Sequence, residues 1–564
     1  MVTNSNEVNA SQKKAVEHDG GHLLIVAGPG TGKTHTLIRR IARRAEQLSK
    51  EERVLAITFT NKAALEMKER LSALMPALDK VVAATFHGFA LRFLRQHQRS
   101  PGFTVASPAE IESLLKNNFK DLSQKEIKGF LDEVSGWKSA RFDTEVPEKV
   151  KGYDQLLRTK NLLDYDDLLL ETLKTLKNDR AVLNETRAAY PHIFVDEYQD
   201  INRVQHELLK ILVGPQNHLT AIGDPNQSIY GFRGSEVRYF ESFAGDFKPA
   251  HILTLTANYR SAANLLEASI QMIAKNKTFD VPPLVAAMFA EGRLVIYESP
   301  TEKAEAEYVV HQIEKMVGGT SMFSHDTRRV GKGEDGQCSF GDIAVLYRLN
   351  SQKNILEEAF GRSGIPCQIA GDKNLLEQPF VRDILSAMKR SAPENSPVQV
   401  LKDIAKTAPD NKPWKESFQS LERLAKRFER SEELFDYLIL ERAEDRHEER
   451  CERVSLMTLH ASKGLEFPVV FIVGCEDNLI PFRRKDRELD EPEERRLFYV
   501  GMTRAKTSLY LTHCRRRRLW GEAMENGPSP YLKDIEEKLK SYERAALKKK
   551  RPDQEVQQLS LFKL

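Results

Sequence analysis

Short, wholly apolar runs recur along the chain between longer stretches of helical period. The first set is Leu23-Leu24-Ile25-Val26, Val54-Leu55-Ala56-Ile57, Val81-Val82-Ala83-Ala84, His192-Ile193-Phe194-Val195 and Leu219-Thr220-Ala221-Ile222. A later set is Leu294-Val295-Ile296-Tyr297, Ile343-Ala344-Val345-Leu346-Tyr347 and Val469-Val470-Phe471-Ile472-Val473. Runs without alternation, separated by helices, predict parallel strands buried on both faces. The fold class expected is α/β, with function at the strand ends. Two stretches break the pattern: residues 98–177 and 388–450 are charged, helical in period and poor in strand signals. They read as helical insertions into two α/β blocks, 1–97 with 178–258 and 259–387 with 451–540. Gly318 to Phe340 reads as a mobile polar loop, and 541–564 as a Lys-rich disordered tail.

The first strand run leads into Ala27-Gly28-Pro29-Gly30-Thr31-Gly32-Lys33-Thr34, and a helical pattern follows. Strand, glycine loop and helix are the setting of a phosphate-binding P-loop. Its backbone N–H groups and the helix N-terminus face the phosphates. Lys33 is expected on the β- and γ-phosphates and the Thr34 hydroxyl on Mg²⁺. Ala27 stands where the strict pattern has glycine.

The fourth run ends in Asp196-Glu197. Two carboxylates at a strand end of a P-loop protein divide naturally: Asp196 for Mg²⁺, Glu197 to orient and deprotonate the attacking water. The fifth run ends in Gly223-Asp224-Pro225-Asn226-Gln227-Ser228-Ile229-Tyr230-Gly231-Phe232-Arg233-Gly234. Gln227 suits a sensor of the γ-phosphate, and Tyr230 and Phe232 beside Arg233 suit stacking on single-stranded bases. Arg260 in Asn258-Tyr259-Arg260-Ser261, and Arg504 near the end of the second block, are positioned to meet the γ-phosphate if the blocks face each other.

Composition changes this picture little. The chain has 564 residues, room for about three to four domains. A net charge of +3 means that any nucleic-acid surface must be local. No apolar run approaches the ~20 residues of a membrane helix. Met1–Ser5 lacks a secretion signal, so a cytoplasmic, nucleoid-associated protein is expected. The cysteines are scattered without paired spacing, which argues against zinc or a disulfide framework.

Taken in order, A-G-P-G-T-G-K-T, T-F-T-N-K-A-A, T-F-H-G-F, V-D-E-Y-Q-D, G-D-P-N-Q-S-I-Y-G-F-R-G, N-Y-R-S, T-L-H-A-S-K-G-L-E-F and Y-V-G-M-T-R-A resemble the UvrD/PcrA/Rep helicases of superfamily 1. The resemblance implies two RecA-like domains, each carrying a helical insertion, with ATP between them. It implies that Gln12 reads adenine, Tyr259 stacks on the base, Glu466 holds the ribose, and Arg260 and Arg504 are arginine fingers. It lays Phe59, Asn61, His87, Tyr230, Phe232, Arg233 and His460 along single-stranded DNA, with 3′→5′ translocation. His35 stands where relatives carry an adenine-stacking arginine, Phe232 replaces a tryptophan, and the second insertion is short.

The expected function is an ATP- and Mg²⁺-dependent 3′→5′ DNA helicase and single-strand translocase in repair or replication restart. The alternatives are a translocase that strips proteins from DNA with little unwinding, and a non-catalytic clamp-associated scaffold. Trp520, expected at a hairpin tip after Arg515 to Arg518, is the candidate wedge at the duplex junction. Gln558, Leu559, Leu561 and Phe562 resemble the pentapeptide that docks on the bacterial sliding clamp.

Overall fold

The structure, a computed structural model, describes residues 8–544 except 76–77, 98–101, 141, 277–283, 288–290, 319–337, 370–374, 376–379, 389, 391–393, 407–410, 442–451 and 484–487. The mobile-loop reading of Gly318 to Phe340 therefore falls mostly outside the described residues, and the clamp-like tail falls wholly outside them.

The apolar runs form two sheets. The first has the spatial order Val81–Thr85, Val54–Thr58, His192–Val195, His218–Gly223, His22–Ala27, Ala250–Leu255, all parallel. Its central strands are buried on both sides because successive residues serve different cores. Leu24, Val26, Leu55, Ile57, Ile193 and Val195 face one. Leu23, Ile25, Val54, Ala56, Phe194 and Ile222 face the other.

The second sheet runs Cys367–Ile369, Val454–Thr458, Ile343–Tyr347, Phe467–Ile472, Ala505–Leu519, Arg293–Thr301, Ser541–Arg544, again parallel. Glu522–Met524 returns antiparallel along Ala505–Leu519. Here Leu294, Ile296, Leu346 and Ile472 face one core. Val295, Val345 and Phe471 face the other.

Three boundaries differ from the pattern-based reading. Ser541–Arg544 is a strand beside Arg293–Thr301 and not the start of a disordered tail; its polar sequence suits a sheet edge. The helix Tyr165–Asn178, drawn into the first insertion by its charge, buries Leu168, Leu169, Leu173 and Leu176 in the first-sheet core. The helix Val381–Met388 packs with Val400, Leu401, Trp414 and Leu421 of the second insertion rather than with the second sheet. The first insertion keeps its own core around Ile111, Ile127, Val134 and Tyr153.

The two lobes meet through the loop that follows His218–Gly223. Its Ile229 and Tyr230 are planted in the core of the second lobe. The second insertion leans on the first lobe: Leu440 joins the first-sheet core, Arg95 pairs with Asp436 at 2.7 Å, and Arg427 with Glu69 at 2.9 Å.

Candidate nucleotide cleft and nucleic-acid face

The P-loop follows the buried strand His22–Ala27, and Lys33 opens the helix Lys33–Glu46. Gly30 and Gly32 have φ of +68° and +80°. Neither position has room for a side chain. A Cβ at Gly30 would sit 2.6 Å from atoms of Arg260 and Asn258, and one at Gly32 would sit 2.7 Å from Gln12. Glycine therefore serves both the left-handed turn and the close approach of Asn258 and of two predicted site residues, Arg260 and Gln12. Asn258 donates to the Pro29 carbonyl at 2.7 Å, and the Tyr259 N–H to that of Gly30 at 2.8 Å. Gln12 donates to the Thr31 carbonyl at 3.0 Å while completing the helix cap with Asn9. Tyr259, 45% exposed, accepts from Asn9 at 2.8 Å. Gln12 and Tyr259 thus both adjoin the P-loop and are linked to each other through Asn9. Arg39 donates to His35 Nε2 at 2.9 Å. Burial, then Arg39 and Arg70, pull His35 below the usual imidazole range, so it is neutral.

Asp196 and Glu197 lie half-buried at the strand end, with Lys33 close enough to act on both. Burial, then the Glu197 charge, pushes Asp196 up, with Lys33 opposing. Burial also works against the charged form of Glu197, but Lys463, Lys33 and a hydrogen bond from Gln199 outweigh it, and Glu197 is held below the carboxylate range. Two neighbouring carboxylates with affinities driven apart can take different roles. Glu197 also has φ +52°, a strained conformation for a non-glycine residue. Gln227 is buried, donates to Asp224 at 2.7 Å and accepts from Arg504 at 3.4 Å.

Arg504 is 1% exposed and is held by the carbonyls of Val500 (2.8 Å) and Leu465 (2.9 Å). Burial, then Arg260, pulls its affinity for a proton below the usual guanidinium value. Arg260 pairs with Glu466 at 2.6 Å, and Lys506 takes the other Glu466 oxygen at 2.7 Å. One expected finger, Arg260, and the expected ribose carboxylate therefore already engage one another. The guanidinium groups of Arg260 and Arg504, with Lys33 and Lys463, are the donors that suit a polyphosphate.

Three cross-lobe links were not anticipated. Lys463 pairs with buried Asp200 and donates to the Gln227 carbonyl at 2.6 Å. Arg496 donates to the Ser228 carbonyl at 2.6 Å. Glu493 accepts from the Gly231 N–H at 3.2 Å. The signal was present for Lys463, inside the T-L-H-A-S-K-G-L-E-F string, but nothing local names its partner.

On the outer face the structure brings Phe59, Tyr230, Phe232 and His460 together. Phe59 stacks on Tyr230 at 4.7 Å, and Phe232 meets His460 edge-on at 5.5 Å. Arg233 lies 5.1 Å from the Tyr230 ring and 5.4 Å from that of Phe232. Phe232 is exposed at 56%. Tyr230 is not: at 2% exposure it is a core residue that backs Phe59, which corrects the expectation of an open stacking ring. His460 is neutral, pulled down to about 3 by burial and then by Arg348 and Arg233. His87 is buried beside Tyr165, 6.0 Å away. The Asn61 amide donates to the Leu440 carbonyl at 2.6 Å. Trp520 stands apart from this group, on the hairpin formed by Ala505–Leu519 and Glu522–Met524. Of the arginines before it, Arg517 is buried between Glu305 and Glu476, so it is not a phosphate contact.

Among the described residues no helix is long and apolar enough to cross a membrane. Residues 8–248 match the UvrD/REP helicase N-terminal domain, and 253–427 and 398–516 match the UvrD-like helicase C-terminal domain. ATP-dependent DNA helicase PcrA of Staphylococcus aureus is 31% identical over 650 aligned positions, covering 95% of this chain and 87% of the relative. PcrA of Staphylococcus epidermidis is 30% identical over 648, covering 94% and 87%. With the P-loop, the paired carboxylates and the buried arginine assembled in one cleft, the chain belongs to the UvrD/REP helicase family.

Proposed function

We propose that this ATP-dependent DNA helicase moves 3′→5′ on single-stranded DNA, using the cleft between its lobes as the motor and the Trp520 hairpin at the duplex junction. The observation that carries the motor reading is the meeting of Lys33, Glu197, Gln227 and Arg504, drawn from both lobes, in one cluster. Glu197, kept ionised by cations, is equipped to take a proton from water. Arg504 and Arg260 are equipped to stabilise charge developing on a transferred phosphoryl group. Gln227, hydrogen-bonded to both Asp224 and Arg504, is equipped to report the γ-phosphate to each lobe.

The residues fit Mg²⁺. Asp196 is a half-buried carboxylate with the Glu197 charge beside it, and with the Thr34 hydroxyl it offers the hard oxygen donors that this ion prefers. Bound there, the ion would neutralise charge on the phosphates. Gln12, Tyr259 and His35 are assigned to the base, and Glu466 to the ribose.

The DNA track runs over Phe59, Asn61, His87, Phe232, Arg233 and His460, with Tyr230 as the backing of Phe59. Opening and closing of the cleft changes the links that Lys463, Arg496 and Glu493 make with the loop carrying Phe232, and so ties nucleotide state to grip. Repair or replication restart is the setting proposed, with the protein at the nucleoid in the cytoplasm. Gln558, Leu559, Leu561 and Phe562 are proposed to dock on a sliding clamp. A peptide of residues 552–564 should bind purified clamp, and Leu561→Ala/Phe562→Ala should abolish this.

The second insertion is small and leans on the first lobe, which favours one alternative: a translocase that strips proteins and unwinds poorly. Forked-duplex unwinding measured beside streptavidin displacement separates them. Strong displacement with no unwinding would replace the helicase reading by the translocase reading.

A further inference from the structure

The hairpin that follows Arg504 turns on two residues, because Leu519 pairs directly with Glu522. Both have positive φ, +51° at Trp520 and +85° at Gly521. That conformation suits glycine and is costly for a bulky side chain. Trp520 nonetheless keeps 67% of its surface exposed. A strained backbone holding a large ring in solvent points to an occupant that comes from outside the chain.

The hairpin is rooted with unusual firmness. Three residues before the tip, Arg517 donates to Glu476 at 2.7 Å and to Glu305 at 2.5 Å, all three being buried. The remaining carboxylate oxygens are also used. Glu305 accepts from the Gly474 N–H and the Thr512 hydroxyl, and Glu476 from the Cys514 N–H. Buried charges satisfied this completely fix geometry, since no partner can leave without stranding another.

Phe482 lies beside the tip. Its ring centroid is 6.1 Å from that of Trp520, with the planes inclined at 50°. It is also held from behind. Its N–H donates to Glu494 at 2.9 Å, Glu494 pairs with Arg348, and the Arg348 guanidinium lies 5.2 Å from the Phe482 ring. Glu494 belongs to the helix Glu491–Met502, which leads directly to Arg504. One helix therefore anchors Phe482 near its start and delivers the buried arginine of the cleft at its end.

We infer that Phe482 is a second strand-separating residue, its ring completing with Trp520 a two-plane surface on which the terminal base pair opens. The inference rests on the assignment of Trp520 to the duplex junction. The inclination is the physical reason. The two bases of a pair are nearly coplanar, so a closed pair can stack on one ring or the other. Stacking one base on each ring requires the bases to leave their common plane, and the hydrogen bonds between them must break. Each base–aromatic stack offsets part of that cost.

The test uses the full chain and a 3′-tailed forked duplex with 2-aminopurine in the terminal pair. Base pairs opened per ATP hydrolysed are measured for Phe482→Leu, Phe482→Tyr and Trp520→Ala. Phe482→Leu should lower this ratio about tenfold, the scale of one lost stack, and remove the fluorescence rise on binding; Phe482→Tyr should restore both. Normal coupling in Phe482→Leu with coupling lost in Trp520→Ala would overturn the role of Phe482 and leave the junction assignment standing. Normal coupling in Trp520→Ala would overturn the junction assignment and the inference with it. Photocrosslinking of 5-iodouracil from the terminal pair to the unaltered chain gives an answer independent of variant folding. Adducts on Phe482 as well as Trp520 are expected, and adducts on Trp520 alone would overturn the proposal.

Discussion

At the cleft, the strand ends of the first sheet lead to Asp196, Glu197, Asp200 and Asp224, with Lys33 from the P-loop among them. The second lobe brings Arg260, Lys463, Arg496 and Arg504 to the same space. The two sheets share an architecture and carry opposite charge, and neither set is complete alone. Burial pushes Asp200 up to about 7 even with Lys463 against it, so the first lobe by itself holds more negative charge than its surroundings favour. The difference teaches how a nucleotide can control the distance between lobes. Cations of the second lobe now answer carboxylates of the first, and a polyphosphate competes for those same cations.

Removing chemistry from either side should have the largest effect. Glu197→Gln and Arg504→Ala are each expected to lower kcat for DNA-stimulated ATP hydrolysis by ~10³-fold or more, with nucleotide affinity changed far less. Near-normal turnover in Glu197→Gln would remove the base from the first lobe and break the division of roles.

Next comes the cross-lobe pair. The Lys463 and Asp200 side chains are 6% and 0% exposed, so Lys463→Met strands a buried carboxylate. A loss of about 3–5 kcal/mol in stability is expected, read by chemical denaturation. Lys463→Met/Asp200→Asn should recover most of it, because neither charge is then left unanswered. Failure of the double variant to recover would mean that Lys463 acts through contacts other than Asp200.

Trp520→Ala should cost about tenfold in unwinding per ATP, the value of a base stack. Equal loss of unwinding and of single-strand-stimulated ATP hydrolysis would point to a packing role for the indole.

The smallest effect is expected at the second insertion. Arg95 and Asp436 make the same kind of pair as Lys463 and Asp200, but their side chains are 38% and 17% exposed. Arg95→Ala should change stability by less than about 1 kcal/mol in the same denaturation experiment. A larger loss would show that the insertion is clamped to the first lobe as tightly as the lobes are to each other.

Much of this was legible in the residues. The strand runs announce themselves because a parallel sheet covered by helices needs unbroken apolar sequence, and the P-loop because its glycines answer steric demands at Gly30 and Gly32. What stayed hidden depends on partners distant in sequence. Tyr230 sits in a polar glycine loop that reads as exposed, and only the second lobe's core explains its burial. Arg517 is one of four arginines in a basic run, Arg515 to Arg518, and nothing local sets it apart from the others. Strand alternation turns it inward to Glu476 and Glu305, which lie 41 and 212 positions away. Ser541–Arg544 carries no apolar run at all, because an edge strand can be held by its backbone alone. The site residues themselves were named from their motifs, while the ties between lobes made by Lys463, Arg496 and Glu493 were not, since a motif does not say which residue of another motif its side chains will meet.

The proposed motor couples ATP hydrolysis in the cleft to directional opening of duplex DNA. It is tested most directly by unwinding of duplexes that carry either a 3′ or a 5′ single-stranded tail, with ATP consumption followed in the same reactions. ATP-dependent unwinding of the 3′-tailed substrate is expected, with little or none of the 5′-tailed one, and with ATP hydrolysis stimulated by single-stranded DNA. Preferential unwinding of the 5′-tailed substrate, or DNA-stimulated hydrolysis with neither substrate opened, would contradict it.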